Sequence, residues 1–418
     1  MSAARPAGVF RSLRIGNYRV WAVGALVSNV GTWMQRTAQD WLVLTQLTHH
    51  DAAAVGVVMA LQFGPQLLLL PWTGFAADHY DQRRLLMATQ SVMGILALML
   101  GLLTVAGIVQ LWHVYVFALL SGCASAFDAP VRQTFVSELV GDADLPNAVA
   151  LNSTSFNAAR MIGPAVAGLV IASIGTGWAF VLNGASFAAV LGSLLLLRVG
   201  ALRANARAHR TKGSLTEGWR YAWSRPDLKA ILVMLFLIGT FGLNFPIFIS
   251  TMAVGVFHTD ARGFGLLSSI MAIGTISGAL LSAGRDRPRF MSLSIGVAMF
   301  GIGCTLAAIA PGYWSFAGAL VVIGAATLIF TNATNSLMQL TSEPAMRGRV
   351  MALRVAVALG ATPIGAPLVG WVANHLGPRW ALGVGAASGF AAALVAVHAM
   401  AQHARRPRVD LFEGNDLR

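Results

Sequence analysis

What this chain of 418 residues has least of is charge. Only 11% of its residues are charged, against about a quarter in a soluble domain. Acids are the scarcer sign, with 16 Asp and Glu against 29 Lys and Arg and a net charge of +13. Hydrophobic residues make up 56% of the chain, and the mean hydropathy is +0.68. No soluble core of this length hides that much apolar surface, so the bilayer is the natural solvent. A basic excess in a soluble protein would suggest nucleic acid. Here the basic residues form short clusters between apolar runs, with no basic groove and no interleaved aromatics, so a nucleic-acid partner is not expected. Cysteine is nearly absent. Cys123 and Cys304 lie inside apolar segments without a partner at metal spacing, and they read as small buried hydrophobes. Zinc and calcium ligand sets are missing, as is a phosphate-cradling loop. No enzyme, metal or cofactor is expected. The opening "MSAARPAGVFRSLRIGNYR" is basic and precedes an apolar run too long for the core of a secretory leader. It reads as a cytoplasmic tail before a first membrane helix.

What the sequence does have is long apolar runs. Twelve segments stand out, at 20–44, 53–75, 85–107, 111–130, 150–174, 177–198, 228–250, 263–283, 290–310, 313–337, 351–374 and 378–402. They are too long and continuous for the short alternating strands of a membrane barrel. The predicted fold class is an all-α membrane protein with 12 transmembrane helices in two pseudo-symmetric six-helix bundles. With the N-terminus inside, 25 of the 29 basic residues fall on one side, and the outer loops keep only Arg262 and Arg379. A miscounted helix would scramble that alternation, so both termini are expected in the cytoplasm.

The longest polar stretch, about 199–227, divides the chain into a bundle over 1–198, a cytoplasmic linker over 199–227, and a second bundle with a basic tail over 228–418. Within the linker, Ser214 and Glu217 have capping-box spacing. Leu215, Trp219, Ala222 and Trp223 share one face that suits a membrane surface. A plain tether fits the same residues.

The halves repeat. "VALNSTSFNAARMIGPAVAG" (149–168) aligns without gaps with "MALRVAVALGATPIGAPLVG" (351–370). Ala150, Leu151, Gly163 and Gly168 fall on Ala352, Leu353, Gly365 and Gly370, and Ser137-Glu138 answers Ser342-Glu343. Two parallel six-helix repeats are what some secondary transporters use for alternating access. Small residues and prolines in the middle of these segments (Gly163, Pro164 and Gly168; Pro363, Gly365, Pro367 and Gly370) permit close backbone approach and remove helix hydrogen bonds. They are expected to line the moving interface, although a purely architectural kink fits too. Arg160, one turn before Gly163, is placed to snorkel toward the cytoplasm or to meet Glu138.

Ionisable residues inside membrane segments face a cavity or a partner. The first segment holds Arg36 and Asp40, four apart on one face, with Gln35 and Gln39 widening it. Asp40 is therefore a candidate for proton coupling or cationic-substrate contact, and a permanent Arg36–Asp40 ion pair is the competing reading. Further cavity candidates are Gln62, Gln66, Asn244, Asn332 and Asn335, each of which also suits a helix–helix hydrogen bond. Pro65 and Pro71 loosen the second segment.

Three stretches resemble a known family: "GFAADHYDQRR" (74–84), "DAPVRQTFVSELV" leading to "ARMIGPAVAG" (128–168), and "MQLTSEPAMRGRVMALR" leading to "PIGAPLVG" (338–370). The sequence is similar over nearly its whole length to the major facilitator superfamily. Within it, the chain resembles the bacterial exporter branch related to enterobactin exporters and to macrolide and multidrug efflux permeases. The first stretch matches the loop between helices 2 and 3. Gly74 leaves room one turn before Asp78. The resemblance implies that Asp78 docks at the start of helix 11, near Gly348–Met351, and that Arg83 pairs with Asp128 at the inner end of helix 4. With Arg84, these residues would form a releasable cytoplasmic latch. An ordinary solvated loop whose arginines fix topology is the plain alternative. Asp81 departs from the glycine common in the superfamily.

These readings predict a secondary active transporter in a bacterial cytoplasmic membrane. It would export a small amphipathic molecule by proton antiport, working as a monomer with the proton gradient as its energy source. Uptake or facilitated diffusion, and a non-transporting sensor or assembly factor on the same fold, are the alternatives.

Overall fold

A computed structural model describes residues 10–141, 143–203, 215–283, 290–344 and 346–405, apart from the surroundings of a few residues that include Pro71, Gly74, Ala77, Asp78 and Leu215. The described residues are almost wholly helical, with no strand among them. Six columns precede the linker: α1 (Gly16–Trp41) running on into a π turn (Leu42–Leu47), α2 (Ala52–Leu68) with α3 (Leu70–His79), α4 (Gln82–Val105), α5 (Leu111–Leu139), α6 (Leu145–Ile174) and α7 (Thr176–Leu196). The linker carries α8 (Leu215–Ser224). Six more columns follow: α9 (Pro226–Leu237) joined through a π turn (Ile238–Gly242) to α10 (Phe245–Gly255), α11 (Ala261–Ala283), α12 (Phe290–Ala308), α13 (Tyr313–Thr341), α14 (Arg347–His375) and α15 (Pro378–Arg405).

Among the described residues, ten spans are long and apolar enough to cross a membrane. The first two columns fall short of that measure for separate reasons. Column 1 is diluted by Asn29, Gln35, Arg36, Gln39 and Asp40. Column 2 breaks at Leu69, between Pro65 and Pro71, where the Leu69 amide still reaches the Pro65 carbonyl at 2.8 Å. Pro71 has no N–H with which to continue the ladder. Several helices overrun the apolar segments by a turn or more at the end of the molecule that holds Phe10 and Arg405, the first and last described residues, notably α5 to Leu139, α13 to Thr341 and α14 from Arg347. That end is called here the terminal face, and the other the opposite face.

Within the first half, α1 packs on α6 and α7, α4 on α5 and α7, and α2 on α5. In the second half, α11 and α12 pack on α13, and α12 and α9 on α15. The halves meet along two crossings, α2 with α14 and α6 with α11. The linker helix α8 lies on the second half through Arg349 and Glu217, 3.2 Å apart. Its Ala222 is buried, whereas Trp219 and Trp223 are exposed and stacked at 4.8 Å. The expected Ser214 cap lies outside the described residues.

Candidate functional site

Glycine brings the halves together. At the first crossing a side chain on Gly56 would strike the Ala366 carbonyl, and one on Gly370 the Ala52 carbonyl. At the second, a Cβ on Gly168 would stand 2.7 Å from the Ala261 carbonyl, and one on Gly265 would strike that of Pro164. All four contacts lie in the parts of the spans nearer the opposite face. There Asn374 donates to the Asp51 carboxylate at 2.5 Å and accepts from the Ala52 amide at 2.7 Å. Asp51 also caps α2 by accepting from Ala53 and Ala54. Toward the terminal face, α6 and α14 have little cover. They are the least covered spans, each with 28% of its apolar window buried, and Val149, Phe156 and Val355 stand exposed. The halves are thus closed at the opposite face.

Between them lies a cavity of about 220 Å³. It is lined by Trp33, Arg36, Thr37 and Asp40 of α1, Gln62 and Phe63 of α2, Arg160 and Pro164 of α6, Phe245 and Pro246 of α10, Phe264 and Ser268 of α11, and Thr362 of α14. No hydrogen bond or ion pair holds the Asp40 carboxylate among the described residues, so the permanent Arg36–Asp40 pair of the competing reading is not formed. Arg36 turns instead to aromatic faces, 4.9 Å from the Trp33 ring centre and 5.5 Å from that of Phe63. Its Nε is buried without a partner. Arg160 neither snorkels nor meets Glu138. Gly163 packs against Trp33, with a Cβ there 2.5 Å from the Trp33 Cβ, and this brings α6 close enough for Arg160 to sit 5.5 Å from the same indole.

Of the nine polar cavity candidates, Arg36, Asp40 and Gln62 line the cavity. Gln35 turns to α7, where it accepts from Asn183 at 2.5 Å, and Gln39 is buried in the bundle. Gln66 is half-buried outside the lining, Asn332 is exposed and Asn335 is partly buried. Asn244 is fully buried and donates to the Thr240 carbonyl at 2.7 Å, closing the π turn before α10. The aromatic lining, Trp33, Phe63, Phe245 and Phe264, was not singled out from sequence. Spacing alone does not separate a cavity aromatic from a lipid-facing one.

Among the other interface candidates, Pro367 packs against Gly56 of the other half and Pro363 is partly buried, but Gly365 packs against the Thr240 carbonyl and Gly163 against Trp33, each within its own half, where it seats a neighbouring segment and does not line the interface. The expected Arg83–Asp128 pair is absent. Arg83 donates to the Leu194 carbonyl at 2.7 Å. Asp128 is held by Arg132 at 3.0 Å, Thr89 at 2.9 Å and Gln90 at 2.5 Å. The reason is depth: Thr89 and Gln90 lie six and seven residues beyond Arg83 on α4, roughly 10 Å along a helix. Arg84 is exposed, and its amide donates at 2.8 Å to Asp81, which caps α4. The surroundings of Gly74 and the side chain of Asp78 lie outside what the structure describes, as do the arginines of the loop 284–289.

The model of a family described as a transmembrane secretion effector matches residues 7–411. The chain belongs to this family of major facilitator exporters. It is 27% identical to the multidrug efflux pump Tap of Mycolicibacterium fortuitum, over 84% of this chain and 88% of that protein. Identity is 29% with the staphyloferrin A transporter of Staphylococcus aureus, but that match spans 60% of this chain and 63% of the relative's length. It is 24% with the enterobactin exporter EntS of Escherichia coli O1:K1, over 85% of this chain and 84% of that one. The fold is shared with a bacterial homologue of the lysosomal transporter Spinster in an inward-facing, unoccupied conformation, at a TM-score of 0.68 and 15% identity over 92% and 96% of the two chains. It is shared as well with a bacterial homologue of the iron transporter ferroportin in an inward-facing state, at a TM-score of 0.70 and 15% identity over 93% and 98%.

Proposed function

We propose that this protein is a secondary active transporter that exports a small amphipathic molecule by proton antiport through alternating access. The carrying observation is Asp40: a carboxylate on the wall of an aromatic-lined cavity between the halves, with no hydrogen-bond or ion-pair partner among the described residues. A group held permanently by a partner makes a poor proton carrier; this one is free to exchange. With both termini in the cytoplasm of a bacterial inner membrane, closure at the opposite face makes this the inward-open state. Substrate enters from the cytoplasm, the halves rock about the two crossings, and the terminal face closes. Asp78 then docks at the start of α14. A proton bound to Asp40 on the outside is carried inward on the return, and each inward charge draws about 2.3 kcal/mol per 100 mV from the membrane potential. The switch itself needs a bias of only a few kcal/mol.

Everted membrane vesicles acidified inside, offered a panel of dyes, macrolides and siderophores, test this reading. Substrates should discharge the pH gradient, and D40N should abolish the pH-dependent exchange while the protein remains in the membrane. Undiminished proton-driven transport by D40N removes Asp40 from the mechanism.

A further inference from the structure

Among the charged groups deep in the described spans are four arginines, Arg36, Arg132, Arg160 and Arg354, and two aspartates, Asp40 and Asp128. The two signs do not balance. Asp128 is committed to Arg132. Asp40 lies four residues from Arg36 on α1 and is its nearest counter-charge. Arg160 has no acid within ion-pair range among the described residues. Its neighbour is the Trp33 ring, which Arg36 also approaches. Two guanidiniums against one indole, with one carboxylate, leave the cavity one positive charge in excess. An aromatic face attracts a cation but does not neutralise it. Uncompensated charge away from water is costly. Arg354 adds a second guanidinium without an acid on α14, toward the open terminal face. It donates to the Thr331 carbonyl, and its Nε is buried without a partner.

We infer that the cavity selects substrates carrying a carboxylate beside an aromatic or otherwise apolar body, and that Arg160 receives the carboxylate. This rests on the transporter reading above and narrows its substrate class. The planar fork of an arginine matches a carboxylate in two-point geometry. The same cavity is lined by the aromatic side chains of Trp33, Phe63, Phe245 and Phe264, which suit the apolar body. With such a substrate bound, two guanidiniums face two carboxylates, and the occupied cavity is electrically balanced. Asp40 can then stay ionised beside Arg36 while the substrate occupies Arg160, so anion binding and proton release are compatible. The assignment also reverses the expectation that Asp40 marks a site for cations.

The test uses the full chain in lipid nanodiscs and three probes of nearly equal shape: 2-naphthoate, 2-naphthamide and 2-naphthylmethylammonium. Binding is measured calorimetrically. The naphthoate should bind at least about tenfold more tightly than the amide, the share of one charge-assisted hydrogen bond, and the ammonium most weakly. R160Q should erase the preference for naphthoate over amide, and R160K, which keeps the charge but loses the two-point fork, should keep only part of it. Equal binding of naphthoate and amide, tighter binding of the ammonium, no saturable naphthoate binding, or an unchanged preference in R160Q would each overturn the inference. The comparison among probes on the unaltered protein stands even if R160Q fails to fold. Vesicle transport separates the two readings. Selective naphthoate binding without transport of any probe sinks the transporter reading alone, whereas transport without charge preference sinks the carboxylate site alone.

Discussion

The two crossings between the halves are built alike and finished differently. Residues on α2 and α11 correspond with a displacement of 209, and those on α6 and α14 with one of 202. Under that correspondence Gly56 matches Gly265, Ala52 matches Ala261, and Gly168 matches Gly370, and each glycine meets the carbonyl of its matched partner. The same backbone contact is therefore made twice about the pseudo-two-fold axis. The polar finish is made once. Asp51 has its match in Asp260, which caps α11 by accepting from Gly263 at 3.0 Å. The match of Asn374 is Ala172, which has nothing to donate. One crossing is thus clasped at the opposite face, and the other is held by packing and by one deeper hydrogen bond from Ser269 to the Met161 carbonyl, with Trp41 of α1 stacked beside it on Phe264 at 5.8 Å. The clasped crossing resists parting at the opposite face. The packed crossing has less to lose from sliding.

The largest effect expected from breaking this comparison comes from filling the glycines. Gly370→Val forces the α14 backbone off Ala52 and should destabilise the closed opposite face by about 2–3 kcal/mol. G168V does the same at the other crossing, where the added Cβ has slightly more room from the Ala261 carbonyl, and should cost about 1–2 kcal/mol. Spin labels at the exposed positions Ile108 and Ile309 read the separation of the halves at that face. The long-distance population should grow in both variants, and more in G370V. An unchanged distance distribution in both would mean that these glycines do not set the closure.

Removing the clasp is the next effect in size. Asn374→Ala deletes a donor to Asp51 and the acceptor of the Ala52 amide, an exposed pair of hydrogen bonds worth about 1–2 kcal/mol together. The open population should rise by a factor of roughly 5–30, with Asp51 still capping α2 and the fold intact. The matched change Asp260→Ala, which removes a cap and no contact between halves, should leave the label distances where they were. An equal response to the two substitutions would erase the distinction between the crossings.

How much of this was legible in the sequence follows the same division. Membrane segments, their number and the repeat were readable because hydropathy and the glycine–proline pattern act along one strand of chain. The break of the second column was readable in Pro65 and Pro71. Which side chains reach the cavity was not. Gln35 and Arg36 are neighbours in sequence, yet about 100° apart around a helix, so one meets Asn183 on α7 and the other the cavity. The direction of Arg160 is not legible either, because it is decided by how closely α6 approaches Trp33, a distance fixed by Gly163 and by a partner helix more than a hundred residues away. Arg83 was given Asp128 because a loop signature specifies residue types but not their depth. The Asp51–Asn374 clasp joins residues 323 apart, and no local pattern marks either one.

The smallest effect belongs to the deeper hydrogen bond of the packed crossing. Ser269 is buried, and its Oγ donates to the Met161 carbonyl at 2.8 Å. Met161 lies within α6, where its carbonyl also serves the helix ladder, so Ser269→Ala leaves no orphaned acceptor. The expected loss is under about 1 kcal/mol, visible as a slightly lower Tm in detergent and as no change in the Ile108–Ile309 distances. Were S269A instead to open the opposite face as far as N374A does, the two crossings would share the work of closure equally. The asymmetry between Asn374 and Ala172 would then have no mechanical consequence.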